Sequence, residues 1–170
     1  MAVHLQGRAR RFGDNINTDY IIASTRKRDT LDESVLKRYL LEAVDPAFAA
    51  TVQPGDLLVA GRNFGCGSAM EVAATVILAA GIRAVLAHTF ARTFYRNAIN
   101  NGLLPIECDT TAIREGDPLT IEFEAGAPAV TNQRAGERRP GRPLPPIMLD
   151  ILNAGGLAPY IRRNGGFQLT

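Results

Sequence analysis

The chain has 170 residues, 46% hydrophobic and 21% charged, which is enough apolar content for one compact domain with a sizeable core. Its 19 Lys and Arg against 17 Asp and Glu leave a formal net charge of +2, too mild to advertise nucleic acid as a partner. The longest apolar run, residues 72–82, is too short to span a bilayer, and residues 1–13 carry positive charge without the apolar stretch of an export signal, so a soluble cytoplasmic protein is expected.

Cysteine usage points the same way. Cys66 and Cys108 are too few for a disulfide framework in a chain of this size, and reduced thiols fit the cytosol. With His4 and His88 the only histidines, and all four residues widely spaced, a closed zinc site is excluded. Iron-sulfur clusters usually take three or four thiolates. A reaction that needs such a cluster must therefore draw it from another chain.

In chain order, residues 3–12 predict a short strand ending in the turn Gly13-Asp14-Asn15. The polar stretch Asn15-Ile16-Asn17-Thr18-Asp19 precedes apolar Tyr20-Ile21-Ile22, and Thr25-Arg26-Lys27-Arg28-Asp29 reads as an exposed basic loop. Residues 31–43 carry apolar side chains at helical spacing (Val35, Tyr39, Leu40, Ala43) and predict an amphipathic helix. After Pro54-Gly55, residues 56–60 have the length and composition of a buried strand. A glycine-rich segment follows, then a well-covered helix over 68–80 ended by Gly81, then a second buried strand over 82–87. This strand-loop-helix-strand unit implies parallel strands joined by a right-handed crossover. A helix over 89–100 and a strand over 103–108 repeat the pattern once. Residues 119–123 alternate like a strand, the Pro, Gly and Arg-rich stretch to Pro146 reads as an irregular excursion, and 147–153 predict a last short helix broken by Gly155-Gly156.

The chemistry concentrates in Gly61-Arg62-Asn63-Phe64-Gly65-Cys66-Gly67-Ser68-Ala69-Met70-Glu71. Three glycines between a buried strand and a helix start leave outward amides that attract anions. Met70 stands where a dinucleotide fingerprint would need its third glycine, and no Lys-Ser/Thr follows as in a phosphate loop, so a carboxylate is the better ligand. Ser68 has two readings. Ser68-Ala69-Met70-Glu71 fits a capping box, which explains the serine without chemistry. Alternatively its hydroxyl, held at the positive helix end, exchanges a proton with substrate. Cys66 has no neighbouring histidine to act as its base, Cys108 reads as a small buried hydrophobe, and His88 reads as a hydrogen-bonding residue near the same sheet edge. Arg92 and Arg96 share one helix face, either solvated or in a subunit contact.

The segment 61–68 resembles the small subunit of 3-isopropylmalate dehydratase and homoaconitase, equivalent to the mobile domain of aconitase. Three further segments match in order: Gly13-Asp14-Asn15-Ile16-Asn17-Thr18-Asp19, Phe90-Ala91-Arg92-Thr93-Phe94-Tyr95-Arg96-Asn97-Ala98-Ile99-Asn100-Asn101-Gly102-Leu103, and Gly155-Gly156-Leu157-Ala158-Pro159-Tyr160. The resemblance implies an α/β fold of the swivelling β/β/α type spanning residues 1–170. It also implies a large partner subunit with a [4Fe-4S] cluster, none on this chain, and a small hydroxy di- or tricarboxylate substrate. In that chemistry the iron acts on the leaving hydroxyl while a serine alkoxide removes the neighbouring proton; Ser68 occupies that serine's position. The flanking Gly65, Cys66, Gly67, Ala69 and Met70 would line the substrate.

One departure is large. The family usually follows its serine with Ser-Arg-Glu, the arginine gripping a substrate carboxylate, whereas this chain has Ala69-Met70-Glu71. The family's selecting loop falls at Arg28, or at Lys27 or Arg26 with a small slip in register. Substrates related to homoaconitate, citramalate or dimethylmalate thus stand beside isopropylmalate. Two rival functions are a noncatalytic binding module on the same fold and, lowest, a nucleic-acid binder using Arg8, Arg10, Arg11 and 26–28, where no aromatic residues are interleaved for stacking. Self-association is left open.

Overall fold

In the computed structural model, which describes residues 4–167, strands β1 (His4–Arg11), β2 (Leu57–Val59), β3 (Ala84–Ala87) and β4 (Leu104–Glu107) run parallel to one another. Strands β5 (Pro118–Glu124), β6 (Ala127–Asn132) and β7 (Glu137–Pro140) form an antiparallel meander that joins the sheet on the other side of β1. The resulting seven-stranded order is β4-β3-β2-β1-β5-β6-β7. The sheet curls until its edges meet: Cys108, just past β4, bridges Gly141, just past β7, and the Arg142 amide donates to the Glu107 carbonyl at 2.8 Å. Gly141 permits that closure, since a Cβ there would sit 2.7 Å from Pro128 Cγ and 3.0 Å from Ile106 Cγ2.

Both faces of the parallel half are covered, which is why its strands read as unbroken apolar runs. Leu58, Ala60, Val85 and Ala87 point into one core, shared with Ile21, Leu40, Phe48 and Ile77. Leu57, Val59, Ala84 and Leu86 point into a second, shared with Ile106, Ile121, Val130 and Tyr160. Helices α1 (Thr18–Ile21), α2 (Ser24–Asp29), α3 (Glu33–Leu36) and α4 (Phe48–Thr51) occupy the connection from β1 to β2. Helix α5 (Val72–Ala79) links β2 to β3, α6 (Arg92–Asn100) links β3 to β4, and α7 (Pro146–Asn153) and α8 (Leu157–Asn164) follow the meander. The expected repeated strand-helix-strand unit and the α/β class are present.

Four local expectations are corrected. The helix expected over 31–43 is broken into α3 and a 3-10 turn, Lys37–Tyr39, with Leu36, Leu40 and Leu41 all fully buried. Leu41 takes a left-handed conformation (φ 58°), which a right-handed helix cannot include, while its amide donates to the Ile21 carbonyl. The basic loop at 25–29 is helical, as α2. The Pro, Gly and Arg-rich stretch is not irregular but supplies β6 and β7. Its strand signal is weak because the buried run Pro128-Ala129-Val130 has no apolar-polar alternation and no large hydrophobe, while on the edge strand Arg138 pairs with Glu124 and Arg139 with Glu137. Lastly, α8 follows Gly155-Gly156, where only an ending had been expected.

Two buried carboxylates anchor the junction of the parallel and antiparallel halves. Burial alone would raise the Asp56 carboxyl, but bonds from Arg8, the Gln53 amide and Arg10 outweigh it and hold the group below the usual carboxylate range. Arg10 also stacks over the Phe48 ring, 4.6 Å from its centroid. Asp117 is held well below that range by the Arg134 guanidinium, the Arg114 amide and the Asn132 side chain. Both carboxyls titrate lower in the folded chain than in the unfolded one, where an aspartate sits near about 3.9. Their contribution is thus complete above about pH 4 and disappears as pH falls through the folded values. Urea denaturation followed from pH 7 to pH 2 should show stability dropping only below about pH 4, and Asp117→Asn should flatten that acid limb. An acid limb of unchanged steepness in the variant would remove Asp117 from the account.

Candidate active site

Three turns converge in a crevice at the carboxyl ends of the parallel strands β1, β2 and β3. The turn after β1 and the glycine loop after β2 are laced together along their length. The Asn15 amide donates to the Arg62 carbonyl at 2.8 Å, the Gly65 amide to the Ile16 carbonyl at 2.8 Å, and the Thr18 amide to the Cys66 carbonyl at 2.8 Å. Asn17 and Cys66 form a parallel bridge, and the Arg62 amide reaches the Asp14 carboxylate at 2.7 Å. From the third turn, Thr89 accepts the Asn63 amide through its hydroxyl and the Phe64 amide through its carbonyl.

The glycines of this loop are dictated by crowding as well as by backbone angle. Gly65 (φ 80°) lies against the Phe94 ring, where a Cβ would approach to 2.2 Å, and Gly67 (φ 92°) lies against the Asn17 amide, where a Cβ would approach to 2.5 Å. Beneath them Phe64, Phe90 and Phe94 form an aromatic floor with ring centroids 5.1 to 6.1 Å apart. The loop is thereby held rigid from below and from one side.

Ser68 stands exposed at the loop's far end, and the capping-box reading is corrected: α5 begins only at Val72, with Glu71 as its cap residue and no side-chain cap bond. Among the described residues the Ser68 hydroxyl has no hydrogen-bond partner. Its carbonyl is held instead, by the hydroxyl of the buried Thr18 at 2.8 Å. The amides of Gly67, Ser68 and Ala69 likewise have no acceptor among the described residues, so three successive unpaired N–H groups lie in the same stretch of chain as the free hydroxyl. Such a row binds anions and favours a serine oxygen that gives up its proton.

The chain matches the family model described as the aconitase C-terminal domain over residues 4–111. This chain belongs to that family. Within it, the 3-isopropylmalate dehydratase small subunit of Moorella thermoacetica is 47% identical over 161 residues, covering 94% of this chain and 95% of the relative. The isopropylmalate/citramalate isomerase small subunit of Methanocaldococcus jannaschii is 43% identical over 94% of each. The crystal structure of the 3-isopropylmalate dehydratase from Methanocaldococcus jannaschii superposes with a TM-score of 0.91 at 38% identity, covering 96% of both chains.

The positions that the resemblance singled out in the sequence can each be placed in the fold. Met70, in place of the arginine, is 5% exposed and packs in the core with Ile16 and Phe64, so its side chain does not line the exposed end of the loop. Arg26 is committed elsewhere, pairing with Glu42 at 2.9 and 3.1 Å and stacking 3.9 Å over Tyr39. Lys27 and Arg28 carry no ion pair among the described residues, and Arg28 is exposed. The start of α2 is tethered to the site, since the Ser24 hydroxyl and amide both donate to Asp19 just beyond Asn17. His88 bonds Thr111 at 3.1 Å and faces Asp109, a structural arrangement. Thr18, Asn17, Arg62 and Thr89 escaped notice in the sequence as site residues; the polar run 14–19 was the available signal for the first two.

The donor set of this chain does not fit an iron-sulfur cluster. Cys66 sits in the glycine loop, while burial pushes the Cys108 thiol up to about 12, and no group of three or more His, Cys, Asp or Glu among the described residues could hold a metal. Alkylation of the native chain at pH 8 should accordingly modify Cys66 and spare Cys108 until the fold is lost, read by peptide mass spectrometry. Thr18→Val should cost about 1 kcal/mol of stability through the lost bond to Ser68. In the assembled enzyme it should depress kcat more than it raises KM, with recovery in Thr18→Ser; a purely structural role would leave kcat unchanged.

Proposed function

We propose that this chain is the small subunit of a two-subunit hydro-lyase acting on a malate-type hydroxy diacid, and that Ser68 is its proton-abstracting base. The observation that carries the reading is the free, exposed Ser68 hydroxyl in a loop whose Gly67, Ser68 and Ala69 amides are also unpaired, at the crevice of an aconitase C-terminal domain. The identities of 47% and 43% to dehydratase and isomerase small subunits over nearly full length support it.

In this reading the large subunit brings the [4Fe-4S] cluster, whose Lewis acidity serves the leaving hydroxyl. The present chain supplies everything on the opposite side of the substrate. The amides of Gly67, Ser68 and Ala69 hold a carboxylate and stabilise the Ser68 oxygen as it loses its proton. Gly65 and Cys66 form the rigid stem, and Thr18 fixes where Ser68 points. With the substrate closed in, the Ser68 oxygen takes the proton from the carbon beside the hydroxyl-bearing one and later returns it during hydration.

Charge placement addresses the substrate's third group. With Met70 sealed in the core and Arg26 paired to Glu42, the cations of α2 and the glycine loop that carry no ion pair among the described residues are Arg28, Lys27 and Arg62. Arg28, at the selecting loop, meets an extra anionic group that the favoured substrate carries where isopropylmalate carries an alkyl one.

The reconstituted two-subunit complex should be assayed on isopropylmalate, citramalate and homoaconitate. Ser68→Ala should lower kcat by several orders of magnitude while changing stability by less than about 0.5 kcal/mol, because the hydroxyl bonds nothing in the fold. Near-normal turnover in that variant would end the catalytic assignment. Arg28→Val should lower kcat/KM for the tricarboxylate by about ten- to a hundredfold, the loss of one charge-assisted pair of about 1.5 to 3 kcal/mol, and affect the alkylmalates much less. Equal indifference of all three substrates would defeat the clamp at Arg28.

A further inference from the structure

Beside the glycine loop, but sharing no residue with it, lies a second cleft of about 480 Å³. Its walls come from α6, the end of β4, the segment after β7 and α7. Arg92 and Arg96 stand on one wall, Arg142 and Glu107 on the other, and Phe90, Tyr95 and Met148 supply the apolar surface. That size falls within the range of small-molecule sites, roughly 300 to 1,000 Å³.

The charge in this cleft is unbalanced. Arg142 is answered by Glu107 at 3.0 Å, but neither Arg92 nor Arg96 has a carboxylate partner among the described residues. The two lie one helical turn apart on an exposed face, an arrangement in which like charges repel. Two unpaired guanidinium groups above an apolar surface suit an anion whose body is hydrophobic, with the planar forks meeting its charged oxygens. The apolar part is preformed rather than adaptable: Phe90 is 9% exposed and packed against Phe94 and Tyr95, with ring centroids 6.1 and 5.8 Å away. Tyr95 adds a phenol that burial keeps protonated, leaving its O–H as a donor.

We infer that this cleft is a second ligand site, separate from the Ser68 crevice, for a small organic anion with a carboxylate or phosphate head and an apolar body. Arg92 and Arg96 hold the head. Phe90, Tyr95 and Met148 take the body. Phe90 also bridges Phe64 under the glycine loop, so an occupant would rest on the same aromatic floor that supports Ser68.

The test is a titration of the isotopically labelled full chain, followed by amide resonances at low ionic strength. The probes are 4-methylpentanoate, phenyl phosphate, inorganic phosphate and the uncharged 4-methylpentanamide. At least one of the two organic anions should shift resonances of residues 90–96, 107 and 142–148 saturably in the millimolar range or below, and the stronger one identifies the head group. The amide and inorganic phosphate should bind at least tenfold more weakly. Arg92→Gln combined with Arg96→Gln should weaken the organic anion at least tenfold while leaving the circular dichroism spectrum unchanged, both side chains being exposed and unpaired in the fold. The inference is overturned if neither organic anion moves these resonances, if the shifts centre on residues 61–69, or if the double variant binds as the parent does. Inorganic phosphate binding as tightly as the organic anions would overturn the apolar half of the site.

Discussion

Everything at the functional end of this protein depends on one strip of backbone pairing, that between residues 15–18 and 62–66. Two loops that would each be mobile alone are joined there by amide-carbonyl bonds as in a sheet, and the Thr18 hydroxyl extends the strip to the Ser68 carbonyl. The pairing requires close approach, and that in turn requires Gly65 and Gly67, which have no Cβ to meet Phe94 and Asn17. Remove the approach and the loop amides no longer present a common front. A serine can be free of hydrogen bonds and still be well placed only because its own backbone is held on the residue's carbonyl side.

The sequence displayed the parallel half of the fold far better than the antiparallel half. Strands buried on both faces announce themselves as apolar runs, as at 57–59 and 84–87, and glycines at 61, 81 and 102 punctuate the units. The meander was hidden because β6 and β7 form the thin outer part of the sheet, where Ala, Pro and paired Arg replace large hydrophobes. The helix at 31–43 failed for the opposite reason: the apolar spacing was present, but the chain turns left-handed at Leu41, whose amide bonds the Ile21 carbonyl in a tertiary contact that overrides propensity.

At the site, the residue types of the glycine segment were enough to mark the loop where the turns after β1, β2 and β3 meet, while the proposal for Ser68 came from the family likeness. What could not be read from the sequence was direction. Met70 and Ala69 are neighbours in the chain, yet one is in the core and the other in solvent; Arg26 and Arg28 are two residues apart, yet one is bound to Glu42 and stacked on Tyr39 while the other is unpaired. Loop backbones have no fixed period from which such alternation follows. Thr18 was equally invisible, since its importance lies in a contact made across fifty residues of chain.

The central position of β1 has a temporal consequence. Of the seven strands β1 is made before the others, yet its neighbours are β2, which begins at Leu57, and β5, which begins at Pro118. During synthesis β1 therefore precedes both its partners, one edge waiting for β2 and the other for β5. Pairings so distant in sequence slow folding and leave strand edges open to wrong partners. Arg8, Arg10 and Arg11 put onto β1 the kind of charge that discourages wrong edge pairing, and in the folded chain Arg8 pairs with Asp56, and Arg10 with Asp56 and Glu115, one carboxylate from each later-made side.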